Sequence, residues 1–269
     1  MKLLLENWRR FLNEAVQTEI YKISRDLHRI IFDAFKNEAL PNFNKGKRHH
    51  QFVAKEKDKP IKNNIPNPYD IESIFVNFEW VLISPSKYKE FLDYNDGIPW
   101  EAKAQYRPPE GSISGPVLMF VYKFAVPTKN FDFKQYLEQF NHDLMERLAH
   151  ELTHAKQQYE GRISDTESEI NNLNNISGLK KYFLNSPLDE KEAFIRGMYY
   201  RARREKKDLQ EIIKHYFHSI FNKAIANMRE EFKSGDLQID DVKQRREELL
   251  STILLIIKEY QTEAKNMYS

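Results

Sequence analysis

From Asp132 to Gln158 the chain runs without a proline or glycine, and this stretch constrains the fold more than any other. Phe133, Tyr136, Leu137, Phe140, Leu144, Leu148 and Leu152 recur three and four residues apart, the spacing that gathers side chains on one face of an α-helix. Asp132 stands where a capping residue belongs, and Gly161 follows the run as a stop signal. The spacing therefore predicts a helix over 132–158 with one apolar stripe turned toward a core. Upstream, Ser73–Ile83 is rich in β-branched and aromatic residues, and Ser114-Gly115-Pro116 opens a second such run, Val117–Val126; both read as strands. Between them, residues 94–115 carry Asn95-Asp96-Gly97, Pro99, Pro108-Pro109 and Gly111, so a loop-rich stretch curling over one end of the sheet is expected. From Glu190 to Ser269 helical composition is broken at Ser234-Gly235-Asp236, which predicts three long helices. The fold class is α+β: a small, mainly antiparallel sheet packed on the 132–158 helix and followed by a helical C-terminal part.

Within the predicted helix lies His150-Glu151-Leu152-Thr153-His154. Two histidines four apart project from one helix face a turn apart, so both imidazoles can reach a single metal ion. Glu151 is placed beside such a metal without binding it, where it can take a proton from water. Both histidines fall off the apolar stripe, which gives the helix a second, polar side. The competing account is an exposed helix carrying two surface histidines. Catalytic zinc has three protein ligands and a position left for water, so a third ligand is needed. Asn185-Ser186-Pro187-Leu188-Asp189-Glu190-Lys191-Glu192-Ala193 reads as a turn and a helix start with Ser186 as cap. Glu192 is the leading candidate, with Glu190, Asp189, Glu167 and Glu169 as competitors. Tyr182, Tyr199 and Arg196 are candidates for stabilising an oxyanion.

The His-Glu-Leu-Thr-His-Ala run followed by a Glu-Ala pair on a later helix resembles the gluzincin type of zincin metallopeptidase. The resemblance implies a Zn2+ cofactor, His150, His154 and Glu192 as ligands, Glu151 as general base, and a protein or peptide substrate held along a sheet edge. One departure matters: where the thermolysin-like branch has an Asp four residues after the ligand Glu, this chain has Arg196, which leaves the residues orienting the ligand histidines unassigned. The residues after His154 lack the metzincin extension. The first fifteen residues, ending Phe11-Leu12-Asn13-Glu14-Ala15, resemble capsid-targeting peptides of internal head proteins of tailed bacteriophages, which implies cleavage after Glu14 and phage head proteins as partners. A simple first helix continuing into Ile20-Tyr21-Lys22-Ile23 accounts for the same residues. The alternative function is a non-catalytic zincin-fold protein of the virion interior or of assembly, acting by protein binding.

The implied organisation is a cleavable segment over 1–14, an N-terminal helix and basic loop over 15–64, a zincin-like catalytic domain over 65–205 and a helical extension over 206–269. The basic loop rests on eight Lys or Arg against three acids between Lys36 and Lys62, with His49-His50 and several prolines. A net charge of +2 argues against bulk electrostatic binding of nucleic acid. Zero cysteines remove disulfides, thiol catalysis and cysteine zinc sites together and suit a reducing compartment. The longest apolar run, Leu249–Ile257, is too short to span a membrane and reads as a packed helix, and Leu3–Leu5 is too short for a secretory signal. The expected location is therefore the host cytoplasm or the virion interior.

Overall fold

The computed structural model describes residues 19–56, 59–95, 97–107, 115–128, 131–162, 176–184, 188–234 and 238–268. The segment resembling a capsid-targeting peptide, Ser186, and the candidates Glu167 and Glu169 lie outside these residues. Two compact units divide the chain, residues 1–162 and 163–269.

In the first unit, helix α1 (residues 19–34) passes through a π-helical turn, Phe35–Ala39, into a short α2, Leu40–Asn44. Strands β1 (His49–Lys55), β2 (Ser73–Leu82), β3 (Trp100–Arg107) and β4 (Val117–Val126) form one sheet in the order β1-β2-β4-β3, with helix α3 (Pro85–Tyr94) between β2 and β3. β1 and β3 run antiparallel to their neighbours, while the central β2–β4 pair is parallel. Parallel neighbours cannot be joined by a tight turn, and the α3–β3 excursion supplies the long return. At the end of that excursion a Cβ on Gly115 would stand 2.3 Å from the Asp70 carbonyl oxygen, so only glycine fits where the chain re-enters the sheet.

Alternation along β2 and β4 buries Ile74, Val76, Phe78 and Trp80 together with Leu118, Phe120, Tyr122 and Phe124. Helix α4 (Leu137–Tyr159) is the helix expected over 132–158, entered through a 3-10 turn, Lys134–Tyr136, at which Asp132 Oδ1 accepts from the Lys134 N–H. Its stripe delivers Phe140, Leu144, Leu148 and Leu152 to the core at no more than 1% exposure. Phe140 lies 4.3 Å from Phe35 and 5.0 Å from Tyr122, ring centre to ring centre, which fastens α4 to the π turn after α1 and to the sheet through aromatic contacts. Gly161, at φ +68, ends the helix: Arg162 N–H reaches the Gln157 carbonyl and Gly161 N–H that of Gln158, a Schellman closure.

Two expectations are corrected here. Residues 94–115 are not only loop, because they contain β3. Its Trp-Glu-Ala-Lys-Ala-Gln-Tyr-Arg sequence is poor in β-formers, but pairing with β4 along its whole length overrides that preference. The basic stretch Lys36–Lys62 is likewise not a loop throughout, since it holds the π turn, α2 and β1. Phe52 and Ala54 of β1 are buried, and so is its one lysine, Lys55, whose ammonium donates to the Glu56 and Lys59 carbonyls.

In the second unit α5 (Ile176–Leu179) continues into a π turn, Lys180–Leu184, followed by α6 (Leu188–Glu205), α7 (Leu209–Ser234) and α8 (Ile239–Tyr268). Phe183, Phe217 and Tyr260 meet edge to face at 4.9–6.1 Å. The apolar run of α8 divides by periodicity: Leu249, Ile253 and Ile256 are buried, whereas Leu250, Leu254 and Leu255 face out. Among the described residues no helix is long and apolar enough to cross a membrane.

Candidate metal centre

Helix α4 brings His150 and His154 together as their spacing predicts. Both side chains are half-buried, which replaces the picture of two exposed surface histidines. Their Nε2 atoms stand 3.1 Å apart, with ring centres at 4.8 Å and ring planes at 80°. Two imidazole ligands at about 2.05 Å from one zinc ion in near-tetrahedral geometry stand about 3.3 Å apart. The observed pair is therefore within a few tenths of an ångström of a bidentate metal site, and an imidazole donor set suits zinc.

The outer nitrogen of His154 is also held. Gln157 is fully buried, and its Oε1 lies 2.9 Å from His154 Nδ1. With the carbonyl oxygen so placed, Nδ1–H donates and the lone pair is left on Nε2, the nitrogen turned toward His150. A metal-binding histidine is ordinarily fixed in this way by an acceptor on its second nitrogen. Gln157 holds the ring in the orientation that such a histidine needs. The signal in the sequence was its position three residues after His154, on the same helix face.

Glu151 is 5% exposed. Buried carboxylates are rare without a function or a partner, and this one adjoins the first histidine of the pair in sequence. Thr153 is fully buried and donates to the Ala149 carbonyl at 2.7 Å, so this polar residue of the motif is spent on the helix backbone.

Helix α4 packs against β3. There the ring of Tyr106 lies 5.9 Å from that of His154, tilted by 42°. Burial pushes the Tyr106 hydroxyl well above the usual tyrosine range, so it remains a protonated donor at neutral pH. The sequence reading passed over Tyr106 because it assigned this stretch to a loop. The signal available was the alternation Trp100, Ala102, Ala104, Tyr106, which places those four residues on the more buried face of one strand.

The other candidates belong to the second unit. Glu192 on α6 accepts through Oε1 from both Nε and Nη2 of Arg196, at 2.9 and 2.7 Å. Arg196 is 5% exposed, so its position reflects an ion pair one helical turn long. Glu190 is half-buried and accepts from the Tyr182 hydroxyl at 2.9 Å. Tyr199 stacks on Tyr268 at 4.1 Å. Asp189 opens the same helix. Tyr182, Tyr199 and Arg196 thus each have a contact inside their own unit.

Comparison with known protein families, curated proteins and solved structures finds no match to this chain.

Proposed function

We propose that the chain is a zinc-dependent metallopeptidase of zincin type. In this reading His150 and His154 hold the metal, Glu151 is the general base, and a carboxylate from the start of α6 is the third ligand. One observation carries the reading: two Nε2 atoms 3.1 Å apart, one of them on a ring whose other nitrogen is bonded to a buried amide. For the third ligand the sequence pattern names Glu192. The pairing inside α6 favours Glu190, because a carboxylate already neutralised by a buried guanidinium is a weaker donor to a cation than one held by a neutral phenol.

Bound zinc supplies Lewis acidity toward the scissile carbonyl and lowers the pKa of water to near neutrality. Glu151 takes the proton of the attacking water and passes it to the departing amine nitrogen. Gln157 keeps His154 in the tautomer that presents Nε2. The substrate is a protein or peptide, paired in extended form along β3, which is the outermost strand of the sheet on the side of α4. The Met1–Ala15 resemblance adds the proposal that phage head proteins are among its partners, in the host cytoplasm or the virion.

The test is metal content together with turnover. Purified protein is expected to carry one zinc per chain, and Glu151→Gln to retain it while hydrolysis of fluorescein-labelled casein falls by about 10³-fold. Protein without stoichiometric zinc removes the metallopeptidase reading and leaves the binding-only alternative; zinc with undiminished Glu151→Gln activity removes Glu151 from the base role.

A further inference from the structure

Helix α8 leaves three leucines in solvent near its middle. Leu250, Leu254 and Leu255 are 42 to 53% exposed, although Leu249, Ile253 and Ile256 beside them fill the core of the second unit. A single exposed leucine is ordinary, but three within six residues make a patch. The residues along the same face are patterned around it. Asp240, Glu247, Ser251, Leu254, Lys258 and Lys265 are all exposed and are separated by seven, four, three, four and seven residues. Steps of this kind keep side chains in one stripe along a helix. Followed from either end the spacing is the same, while the charge is opposite: acids precede the leucines and bases follow them. The helix dipole favours Asp240 in the first turn and Lys265 in the last. Its influence fades within one turn, so it gives no reason for Glu247 and Lys258, which stand about two turns further in.

We infer that this face of α8 binds a second copy of itself, the two helices running antiparallel about a two-fold axis. With the axis between Thr252 and Ile253, Asp240 stands opposite Lys265 of the other copy, Glu247 opposite Lys258, and Ser251 opposite Leu254. Symmetry makes each of these contacts occur twice. The leucines then lose water at the centre, and the ion pairs flank them on both sides. Ser251 is no obstacle, because its hydroxyl donates to the Glu247 carbonyl at 2.9 Å, and covering it strands no donor. A parallel pair sets acid against acid and base against base, so the charges fix the direction as well as the partner. The paired length from Asp240 to Lys265 is about 37 Å. Only its middle is apolar, which places the association among the weaker, reversible ones. The inference does not depend on the metal site.

Sedimentation equilibrium of the full chain tests it. Wild type is expected to exchange between monomer and dimer in the micromolar range. Glu247→Lys alone, or Lys258→Glu alone, sets like charges opposite each other and should weaken dimerisation at least about tenfold. The double variant restores opposite charges and should return to within about threefold of wild type, as should an equimolar mixture of the two single variants. Leu254→Asp should be monomeric. All three positions are exposed, so circular dichroism and melting temperature should match wild type in every variant. A wild type that stays monomeric at about 100 µM overturns the inference and gives the face to a different partner. A dimer indifferent to Leu254→Asp and to both single reversals forms through another surface and overturns it too. A double variant as weak as the single ones overturns the antiparallel pairing.

Discussion

Two pairs of side chains in this protein share the same helical spacing and come to opposite ends. On α6, Glu192 and Arg196 are four residues apart and close on each other: acceptor meets donor, negative meets positive. On α4, His150 and His154 are also four apart, but each turns the same kind of atom, Nε2, toward the other. With its own proton held on Nδ1 by Gln157, His154 accepts at Nε2, and a single proton on His150 Nε2 bridges the two rings. The first pair is matched in charge and in donor and acceptor. The second is two like atoms joined by one proton, and a cation that displaces that proton gains both lone pairs at a common point. Spacing brings side chains together, and their complementarity decides whether the result is a brace or a binding site.

The largest effect should come from breaking the histidine pair. His154→Ala is expected to lose stoichiometric zinc altogether, and casein hydrolysis with it, by mass spectrometric metal analysis and turnover. A zinc chelator should likewise abolish wild-type activity, which added zinc restores. If His154→Ala retains one zinc per chain, the comparison between the two pairs fails at its centre.

The complementary cut is Glu192→Ala. It leaves the Arg196 guanidinium buried without its carboxylate, and breaking such a pair by removing one partner costs about 3 kcal/mol. Denaturant unfolding should show that loss, while Glu192→Leu combined with Arg196→Met should recover most of it. The same helix allows a sharper question about the metal. Glu190→Gln should weaken zinc binding more than Glu192→Gln does, if the phenol-held carboxylate is the ligand; the reverse order returns the role to Glu192.

What the sequence disclosed about these pairs depended on the range of the physics involved. Helix α4, its apolar stripe and the meeting of the two histidines follow from periodicity within a few residues, and all were legible. Strands β2 and β4 announced themselves by aromatic and β-branched content. Strand β3 did not, because Glu101, Ala102, Lys103 and Ala104 have little strand preference and owe their conformation to pairing with Tyr122, Val121 and their neighbours in β4. Tyr106 was hidden for the same reason: its meeting with His154 requires β3 to form first and α4 to lie against it. Gln157 was within local reach, one turn beyond His154. Finding it requires asking what each imidazole does with its second nitrogen.

A smaller effect tests that second nitrogen. Gln157→Leu keeps the volume but removes the acceptor from His154 Nδ1, leaving the ring free to change tautomer. Loss of such an orienting partner lowers metal affinity by about 10- to 100-fold. Competition with a zinc-binding dye measures it. Unchanged affinity means that the ring is held by packing alone.

The smallest effect concerns a self-satisfied pair further along α6. Arg201 donates from Nε to Glu205 Oε1 at 2.6 Å, and Lys207 adds a contact at 2.7 Å. Burial works to raise the Glu205 pKa, but hydrogen bonds from Lys207 and Arg201 and their charges outweigh it, so the carboxyl is held below its ordinary value. A group whose folded pKa is depressed contributes stability that is present above its unfolded pKa, about 4.3, and lost as pH falls through the folded value. Wild type should therefore be more stable than Glu205→Gln at pH 7, and the difference should shrink in denaturant unfolding carried out below about pH 4. Since Lys207 is more than half exposed, solvent screening keeps this contribution small. The acid and its two cations satisfy one another, so the effect of removing the charge should be confined to stability, with zinc content unchanged in Glu205→Gln. A variant that also lost zinc would erase the distinction between a brace and a binding site that the two helices draw.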